Sequence, residues 1–387
     1  MVQRLCDQKF CTGCTACASI CPKGCIQMQP DAFGFLYPQM VDPDACIDCG
    51  LCTQSCPVLA ETQKVALPKA YAAMAADTKL RLQSSSGGVF SLLAQKILEE
   101  KGAVFGAAYD ADFAVHHICV ETVDDLRWLR GAKYSQSNLN TCFRNVRKRL
   151  NQGQKVLFSG TPCQVAGLKT FLRKDYENLL TVDFVCHSIP SPEIWKAYVH
   201  FRADQDNGGK MPVSINLRSK ESGWSRYQYE NLFRYNERTY SQSSGSSLYM
   251  KLFVSGFISR ESCATCHFKG YHRVSDLTLG DFWGIWDIAP EMDDNHGTSL
   301  VLVQSEKGAR YFKELCSAMR TKPVTLEQAS AENQALLVSI PQKENRETVM
   351  QAICAAGFEQ SEKFLPQTNT PTIFSRIKAK LIRMIHK

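Results

Sequence analysis

The stretch KVLFSGTPCQVAGLKTFLRK, residues 155–174, indicates how the main body of this chain folds. It begins with an apolar run that predicts a strand, and then Thr161 and Pro162 are typical of the cap and first turn of a helix. LLTVDFVC, residues 179–186, predicts the next strand. A strand, a helix and a strand in this order indicate two parallel strands joined by a crossover helix, and therefore an α/β fold.

The first sixty residues contain two copies of the pattern C-x2-C-x2-C-x3-C-P. This is the bacterial ferredoxin motif, in which three cysteines bind one four-iron cluster and the fourth binds the other cluster. The first cluster is therefore predicted to bind Cys11, Cys14, Cys17 and Cys56. The second is predicted to bind Cys46, Cys49, Cys52 and Cys21. Zinc would explain neither the third cysteine of each copy nor the repeated Cys-Pro. Cys6 and Cys25 lie outside the pattern and are predicted to be spare buried thiols.

Four cysteines of the body are predicted to form a third site. Cys163 follows the end of one predicted strand and Cys186 ends its parallel neighbour, and ligands bind beyond such carboxyl ends. Cys263 and Cys266 add a C-x2-C pair, just before the apparent strand in SDLTLGDFWG, residues 275–284. A 4Fe-4S cluster is favoured because two others lie on the same chain, but zinc and unligated thiols stay open.

Composition narrows the class of protein. The chain has 387 residues, 18 of them cysteine, and neither a signal-like apolar region nor a transmembrane segment is evident. We therefore expect a cytoplasmic protein whose cysteines bind metal rather than form disulfides. The formal charge is +7, but three clusters with their thiolates, each near −2, would lower it to about +1. No nucleic-acid partner is expected.

A second strand, helix and strand unit is predicted over residues 70–109, with SSSGG at 84–88 before its helix. Ser86 could cap this helix, and Gly87 and Gly88 would let backbone N–H groups approach a phosphate. The same residues also suit an ordinary helix start. His116 and His117 point to opposite sides of a predicted strand and are expected to be surface or edge residues, while Asp281 is expected to make a structural hydrogen bond.

The expected domain organisation has four parts. Residues 1–60 form a small α+β ferredoxin-type domain, and residues 58–68 read as a linker that overlaps its end. Residues 69–150 and 151–335 are the two parts of an α/β domain with a mainly parallel sheet. Residues 336–387 are an extension whose last stretch, 373–387, is basic and amphipathic. That stretch is too polar to span a bilayer, but it suits a membrane surface, a partner or the protein's own body equally.

Several of these motifs, in order, resemble the beta subunits of coenzyme F420 hydrogenase and dehydrogenase. They are SSSGGVFSLL (84–93), RGAKYSQS (130–137), SGTPCQVAGLK (159–169), VDFVCHS (182–188) and the C-x2-C pair before LGDFWG (279–284). The resemblance covers the chain to about residue 320. It implies FAD and iron–sulfur centres, a flavin-binding α/β domain, and FAD contacts from Ser85, Ser86, Gly87, Gly88, Lys133 and Ser137.

The resemblance also implies an oxidoreductase that passes electrons between 4Fe-4S clusters and FAD. A redox partner protein or reduced ferredoxin is expected as electron donor, together with a small-molecule substrate that the sequence does not identify. The alternatives are a non-catalytic electron-transfer subunit that serves a partner enzyme and an iron–sulfur redox sensor.

Overall fold

An eight-stranded mixed sheet forms the centre of the structure, a computed structural model that describes residues 5–60 and 66–365. The strands of the chain are β1 (Ile26–Pro30), β2 (Leu36–Met40), β3 (Lys69–Ala75), β4 (Ala103–Tyr109), β5 (Val115–Val120), β6 (Val156–Ser159), β7 (Leu179–Phe184), β8 (Ser214–Ser219), β9 (Glu230–Arg234), β10 (Thr239–Ser243), β11 (Leu277–Asp281), β12 (Ser299–Val303) and β13 (Met319–Val324). The large sheet has the order β13, β3, β12, β11, β7, β6, β4, β5.

The four neighbouring strands β11, β7, β6 and β4 are parallel. The flanking pairs are antiparallel. Because β12 is antiparallel to both β11 and β3, β3 runs in the same direction as β11, and five of the eight strands therefore run in one direction. The predicted α/β class with a mainly parallel sheet is confirmed. β6 and β7 are adjacent, as predicted, whereas β3 and β4 lie far apart with four strands between them.

Helices cover both faces of this sheet. The helices are α1 (Ala16–Ile20), α2 (Leu51–Gln54), α3 (Thr78–Leu82), α4 (Val89–Glu99), α5 (Leu126–Leu129), α6 (Cys142–Asn151), α7 (Pro162–Leu172), α8 (Pro192–Asn207), α9 (Leu248–Ser255), α10 (Ile285–Ile288), α11 (Glu306–Glu314), α12 (Leu326–Ser330) and α13 (Arg346–Ala356). α4, α5 and α11 pack in one apolar cluster against the sheet, and α1, α6 and α7 pack in another. Alternate residues of β4 enter the two clusters, as expected for a strand buried on both faces.

The N-terminal segment is packed firmly onto the body. Its hairpin, β1 paired with β2, carries Phe35 and Tyr37 into the same apolar core as Trp195 and Tyr198 of α8. Arg260, only 1% exposed, donates from Nε to the Cys11 carbonyl (2.7 Å), and from Nη2 to the Leu36 carbonyl (3.0 Å). Hydrogen bonds and apolar burial therefore both hold the segment in place.

Two expectations fall outside the described residues, wholly or in part. The basic stretch 373–387 lies beyond them, and so do residues 61–65 of the expected linker. Within the described ranges, no helix combines the length and apolar character needed to cross a bilayer. The expected division of the chain near residues 60, 150 and 335 stays a prediction.

Candidate functional site

The cysteines of the N-terminal segment line two separate small pockets. The first pocket is lined by Cys11, Cys14, Cys17 and Cys56, together with Cys6 and Cys52. The second is lined by Cys21, Cys46, Cys49 and Cys52, together with Cys25. The chain thus brings together each of the two ligand sets that the motif predicts, including the exchange of the fourth cysteines. Cys52 borders both pockets, which are therefore neighbours.

Each pocket also has an additional cysteine beside its exchanged one. The Cys6 thiol interacts with that of Cys56, and the Cys25 thiol with that of Cys21. Cys25 is buried and Cys6 is half-buried. Both were expected to be spare buried thiols, and the structure places them next to the predicted ligand sets, with only Cys25 buried. Iron analysis of single variants decides whether either binds iron.

The four body cysteines meet in one pocket, here called the inner site. Its cysteines are Cys163, Cys186, Cys263 and Cys266. Cys163 lies in the first turn of α7, where Thr161 and Gln164 cap each other's backbone N–H groups and fix the start of the helix. Cys186 follows β7 by two residues, and Cys263 ends a 3₁₀ turn that begins at Glu261.

The inner site is half-buried and rich in sulfur. The Ile189 N–H donates to Cys263 Sγ (3.4 Å), and Thr161 Oγ1 lies 3.0 Å from Cys163 Sγ. Burial, and to a smaller extent the nearby Cys266 and Cys263, raises the pKa of the Cys163 thiol to about 12. Bare thiolates would be costly here, so a bound cation must compensate if these cysteines are ionised.

Throughout residues 5–60 and 66–365, no three His, Cys, Asp or Glu side chains are gathered tightly enough to hold one metal ion.

A cavity of about 460 Å³ opens beside the inner site, at the carboxyl ends of the parallel strands. Cys163 and Cys186 line both, so the inner site and the cavity share a wall. Of the residues predicted to contact FAD, five line this cavity: Ser85, Ser86, Gly88, Lys133 and Ser137. The structure therefore brings SSSGG, RGAKYSQS and the inner cysteines together.

Gly87 has a different environment from its neighbours. It is not among the described residues that line the cavity, and its N–H donates to Ser299 Oγ (2.9 Å). A Cβ at this position would lie 2.4 Å from the Ala73 carbonyl oxygen. Gly87 therefore lets the loop pack between β3 and β12, and its N–H group is not available to a phosphate.

The expected cap of α4 is wrong. Its N-cap residue is Gly88, with φ of 90°, and no side chain caps the helix. Ser86 Oγ instead donates to the Thr298 carbonyl (3.1 Å). The N-cap lies two residues later than the serine because Gly88 can adopt the left-handed conformation that turns the chain.

Lys133 is committed to its own loop. Its Nζ donates to the carbonyls of Arg130 (2.7 Å), Trp128 (2.9 Å) and Gly131 (3.2 Å), which accounts for all three N–H groups. Burial lowers the pKa of Lys133 to about 7, while the three carbonyls favour the charged form. Lys133 thus braces the loop that forms this wall of the cavity.

His117 is a cavity residue that the sequence reasoning missed. Its strand, β5, is an edge strand as expected, but the ring is buried, so its expected surface position is wrong. Nε2 lies 3.0 Å from the Ser159 carbonyl and must donate to it, so in the neutral ring Nδ1 accepts from Ser137 Oγ (2.6 Å). Burial lowers the pKa of His117 to about 4. His116 faces outward and pairs with Asp110 (2.8 Å).

The cavity is lined by a second residue that was missed, Arg218 of β8. It donates from Nη2 to Asp281 Oδ2 (2.5 Å) and from Nη1 to the Tyr134 hydroxyl (2.7 Å). Its guanidinium lies 4.4 Å from the ring centre of Trp224 and 4.6 Å from that of Tyr229. Asp281 makes a hydrogen bond, as expected, and its ion pair with Arg218 gives this part of the cavity wall a polar and aromatic character.

Two parts of the chain match known protein families. Residues 153–328 match the family described as the C terminus of the coenzyme F420 hydrogenase/dehydrogenase beta subunit. Residues 10–60 match the 4Fe-4S dicluster domain, so the N-terminal segment is an iron–sulfur domain and the chain is an iron–sulfur redox protein.

Individual relatives cover only parts of the chain. It is 25% identical over 167 residues to the coenzyme F420-dependent sulfite reductase of Methanocaldococcus jannaschii, which is 42% of this chain and 25% of that protein. It is 42% identical over 45 residues to Ferredoxin 7Fe of Hydrogenibacillus schlegelii, 12% of this chain and 50% of the ferredoxin. The chain therefore spans a quarter to a half of these relatives' lengths.

One solved structure resembles this chain in part. It is a chain of the F420-reducing [NiFe] hydrogenase complex from Methanosarcina barkeri, with a TM-score of 0.49 and 15% identity. The match covers 76% of this chain and 94% of the other.

Proposed function

We propose that this chain is an iron–sulfur flavoprotein oxidoreductase that passes electrons between 4Fe-4S clusters and FAD to act on a substrate that is not identified. The observation that carries the proposal is the shared wall: Cys163 and Cys186 border both the inner site and the cavity lined by the SSSGG and RGAKYSQS segments. When bound, a flavin exchanges two electrons as a hydride with a substrate and single electrons with clusters.

The pockets form a continuous series that suits electron transfer. The second pocket meets the first at Cys52. In the first pocket, Cys14 lies close enough to Cys163 of the inner site for their charges to interact. The inner site then adjoins the cavity. Each step links neighbours, and the exposed Cys49 of the second pocket is the natural point of exchange with a partner protein.

In this proposal each cluster is held by four thiolates. They are Cys11, Cys14, Cys17 and Cys56 for the first, Cys21, Cys46, Cys49 and Cys52 for the second, and Cys163, Cys186, Cys263 and Cys266 for the inner one. Ser85, Ser86 and Gly88 would bind FAD phosphate at the start of α4, where the helix dipole favours an anion. Gly87 would support this loop without contact.

Ser137 and Lys133 would orient the flavin. Because the Ser137 hydroxyl donates to His117, its remaining lone pairs can accept a hydrogen bond from the cofactor. Lys133 would supply positive charge next to a reduced, anionic flavin. Both residues lie on the cavity wall that also carries the inner cysteines.

The remaining expectations belong to this proposal. We propose a cytoplasmic location because a reducing compartment keeps cysteine ligands available. The partners would be a redox protein or ferredoxin and a small molecule, and coenzyme F420 is the first candidate to test because relatives are named for it. The domain division 1–60, 69–150, 151–335 and 336–387 is proposed with it, and its last part carries the basic segment suited to a membrane surface or a partner.

Cofactor analysis of anaerobically prepared protein tests the proposal. We expect about twelve iron atoms and one FAD per chain, measured by iron assay and by chromatography of the released flavin. Cys163→Ser should lose about four of these irons, whereas Cys316→Ser, at an exposed cysteine outside the pockets, should lose none. Absence of flavin, or full iron in Cys163→Ser, would contradict the proposal.

A second function is favoured by the family description, which is that of a subunit. As an electron-transfer subunit, the chain would carry the same centres but would need a partner enzyme for turnover. The isolated, fully loaded chain should be assayed with reduced viologen as donor and coenzyme F420 as acceptor. Turnover without any partner excludes the relay function, whereas flavin reduction without turnover favours it.

A further inference from the structure

Thr12 lies where three sites meet. It lines the first ferredoxin pocket, the inner site and the cavity. Its hydroxyl oxygen is buried, yet within the described residues no hydrogen-bond partner lies in reach, neither an oxygen, a nitrogen nor a thiol sulfur. In the same loop the Thr15 hydroxyl donates to the Cys14 carbonyl (2.6 Å), so an unpaired threonine is not a general property of the loop.

The backbone on both sides of Thr12 is held. Arg260 donates to the carbonyl of Cys11, the residue before it. Gly13, the residue after it, has φ of 69° and packs so tightly that a Cβ would lie 2.4 Å from Gln136 Nε2 and 2.8 Å from the Leu36 carbonyl oxygen. The hydroxyl therefore cannot find another partner by a shift of the main chain.

Neighbouring polar groups are already engaged. Gln136 Oε1 accepts from the Leu36 N–H (2.9 Å) and from Arg260 Nη1 (3.4 Å). A buried hydroxyl without a partner costs about 1–3 kcal/mol. The acceptor that satisfies Thr12 must therefore come with the group that fills one of the three sites.

The neighbours of Thr12 favour the inner site. Arg260 lines the inner site together with Thr12, and it is not among the described residues that line the first pocket or the cavity. Arg260 holds the carbonyl of Cys11, the residue before Thr12. It therefore fixes the position of Thr12 at the edge of the inner site, which both side chains line. Because no cysteine sulfur of the described residues accepts from Thr12, a sulfur of the bound inner cluster would be the acceptor.

We propose that the Thr12 hydroxyl donates a hydrogen bond to an inorganic sulfide of the inner cluster and is a positioning residue that raises the midpoint potential of this cluster. The proposal rests on the proposed function. A donor to sulfide stabilises the reduced, more negative cluster, so its loss lowers the potential. Thr12 would thereby make the inner cluster a better acceptor from the first cluster and a weaker donor to the flavin.

Redox titration followed by electron paramagnetic resonance tests this proposal. Thr12→Val keeps the shape of the side chain without the hydroxyl, and Thr12→Ser keeps the hydroxyl. The inner signal is assigned as the one that Cys163→Ser lacks. We expect Thr12→Val to bind normal iron and flavin and to lower the potential of the inner cluster alone, and Thr12→Ser to restore it. An unchanged inner potential, or a shift of the first cluster or flavin instead, overturns the proposal.

A second measurement uses the exchange of the hydroxyl proton. D₂O exchange should shift the iron–sulfur vibrations of the inner cluster in resonance Raman spectra more in the wild-type protein than in Thr12→Val, because both keep the Ile189 N–H that donates to Cys263 but only the wild type has the hydroxyl. The difference spectrum against Cys163→Ser isolates these bands. If Thr12→Val fails to load iron, Thr12→Ala is used in its place. A wild-type Raman spectrum that D₂O shifts no more than the spectrum of the variant is enough by itself to overturn the proposal. If Cys163→Ser keeps its iron, the proposed function itself has failed, and iron assay distinguishes the two cases.

Discussion

Cys14 of the iron–sulfur domain and Gly167 of α7 are in direct contact. A Cβ at Gly167 would lie 2.8 Å from Cys14 Sγ and 2.9 Å from Cys14 Cβ, closer than packed atoms approach. Gly167 follows Cys163 by one helical turn, so the two residues lie on the same side of α7. The absence of a side chain at position 167 therefore sets how near the first cysteine pocket comes to the inner site.

Gly167→Val should destabilise the protein because the added atoms overlap Cys14. We expect a loss of about 3 kcal/mol in the free energy of unfolding, measured by anaerobic urea denaturation, and reduced iron content. Gly245→Val is the control, since the nearest atom to a Cβ there is 3.9 Å away. Equal stability of the two variants would show that the contact is not tight.

Arg260→Met should weaken the attachment of the iron–sulfur domain. It removes the donor to the carbonyls of Cys11 and Leu36 and the guanidinium that lies 3.9 Å from the ring centre of Tyr37. Buried acceptors would lose their partners, so we expect a loss of at least about 3 kcal/mol in unfolding free energy. Arg127→Met, at an exposed arginine, should change it by less than about 1 kcal/mol. A small effect at Arg260 would count against this anchor.

Cys6 and Cys56 lie side by side, but only Cys56 is predicted to bind iron. Cys56→Ser should therefore lower the iron content by up to about four atoms per chain, while Cys6→Ser should leave it unchanged. Iron and acid-labile sulfide are measured on anaerobic samples of both variants. Similar losses in both variants would assign Cys6 to the cluster as well.

The buried His117 should make stability depend on pH. Its folded pKa of about 4 lies below the ordinary value near 6.5, so below pH 6.5 the unfolded state binds a proton that the folded state does not. The contribution of the neutral ring to the free energy of unfolding is thus fully present above pH 6.5, and it decreases as the pH falls towards 4. Between pH 7.5 and 5.5 the loss should be about 1 kcal/mol.

His117→Gln should remove this part of the pH dependence, and urea midpoints at the two pH values measure it. His200→Gln, at an exposed histidine, is the matched control and should retain the slope of the wild-type protein. If His117→Gln keeps the full slope, other groups cause the loss.

The sequence predicted the parts of the site that depend on local patterns and on topology. The ferredoxin spacing defines two cysteine sets, and the structure gathers both. The neighbourhood of Cys163 and Cys186 follows from one rule, that consecutive parallel strands end at the same edge. The C-x2-C pair at 263 and 266 then completes a set of four in one pocket.

Other features depend on partners far away in sequence and could not be predicted. Gly87 and Gly88 look equivalent in SSSGG, but Ser299, more than two hundred residues later, takes the N–H of Gly87. The alternation along β5 placed the two histidines on opposite sides of the strand, but both were expected to be surface or edge residues. It did not show that Asn138 covers this edge, where the His117 N–H donates to the Asn138 carbonyl (2.9 Å).

The shared core of the hairpin and α8 has an evolutionary and practical consequence. Phe35, fully buried, packs in the same cluster as Trp195, so cutting the chain between the two would expose apolar surface on both pieces. The iron–sulfur segment is therefore not an interchangeable cassette, although its motif is widespread. A foreign ferredoxin grafted onto residues 66–365 would have to supply matching aromatic side chains, and a partner for Arg260, before any electron could pass.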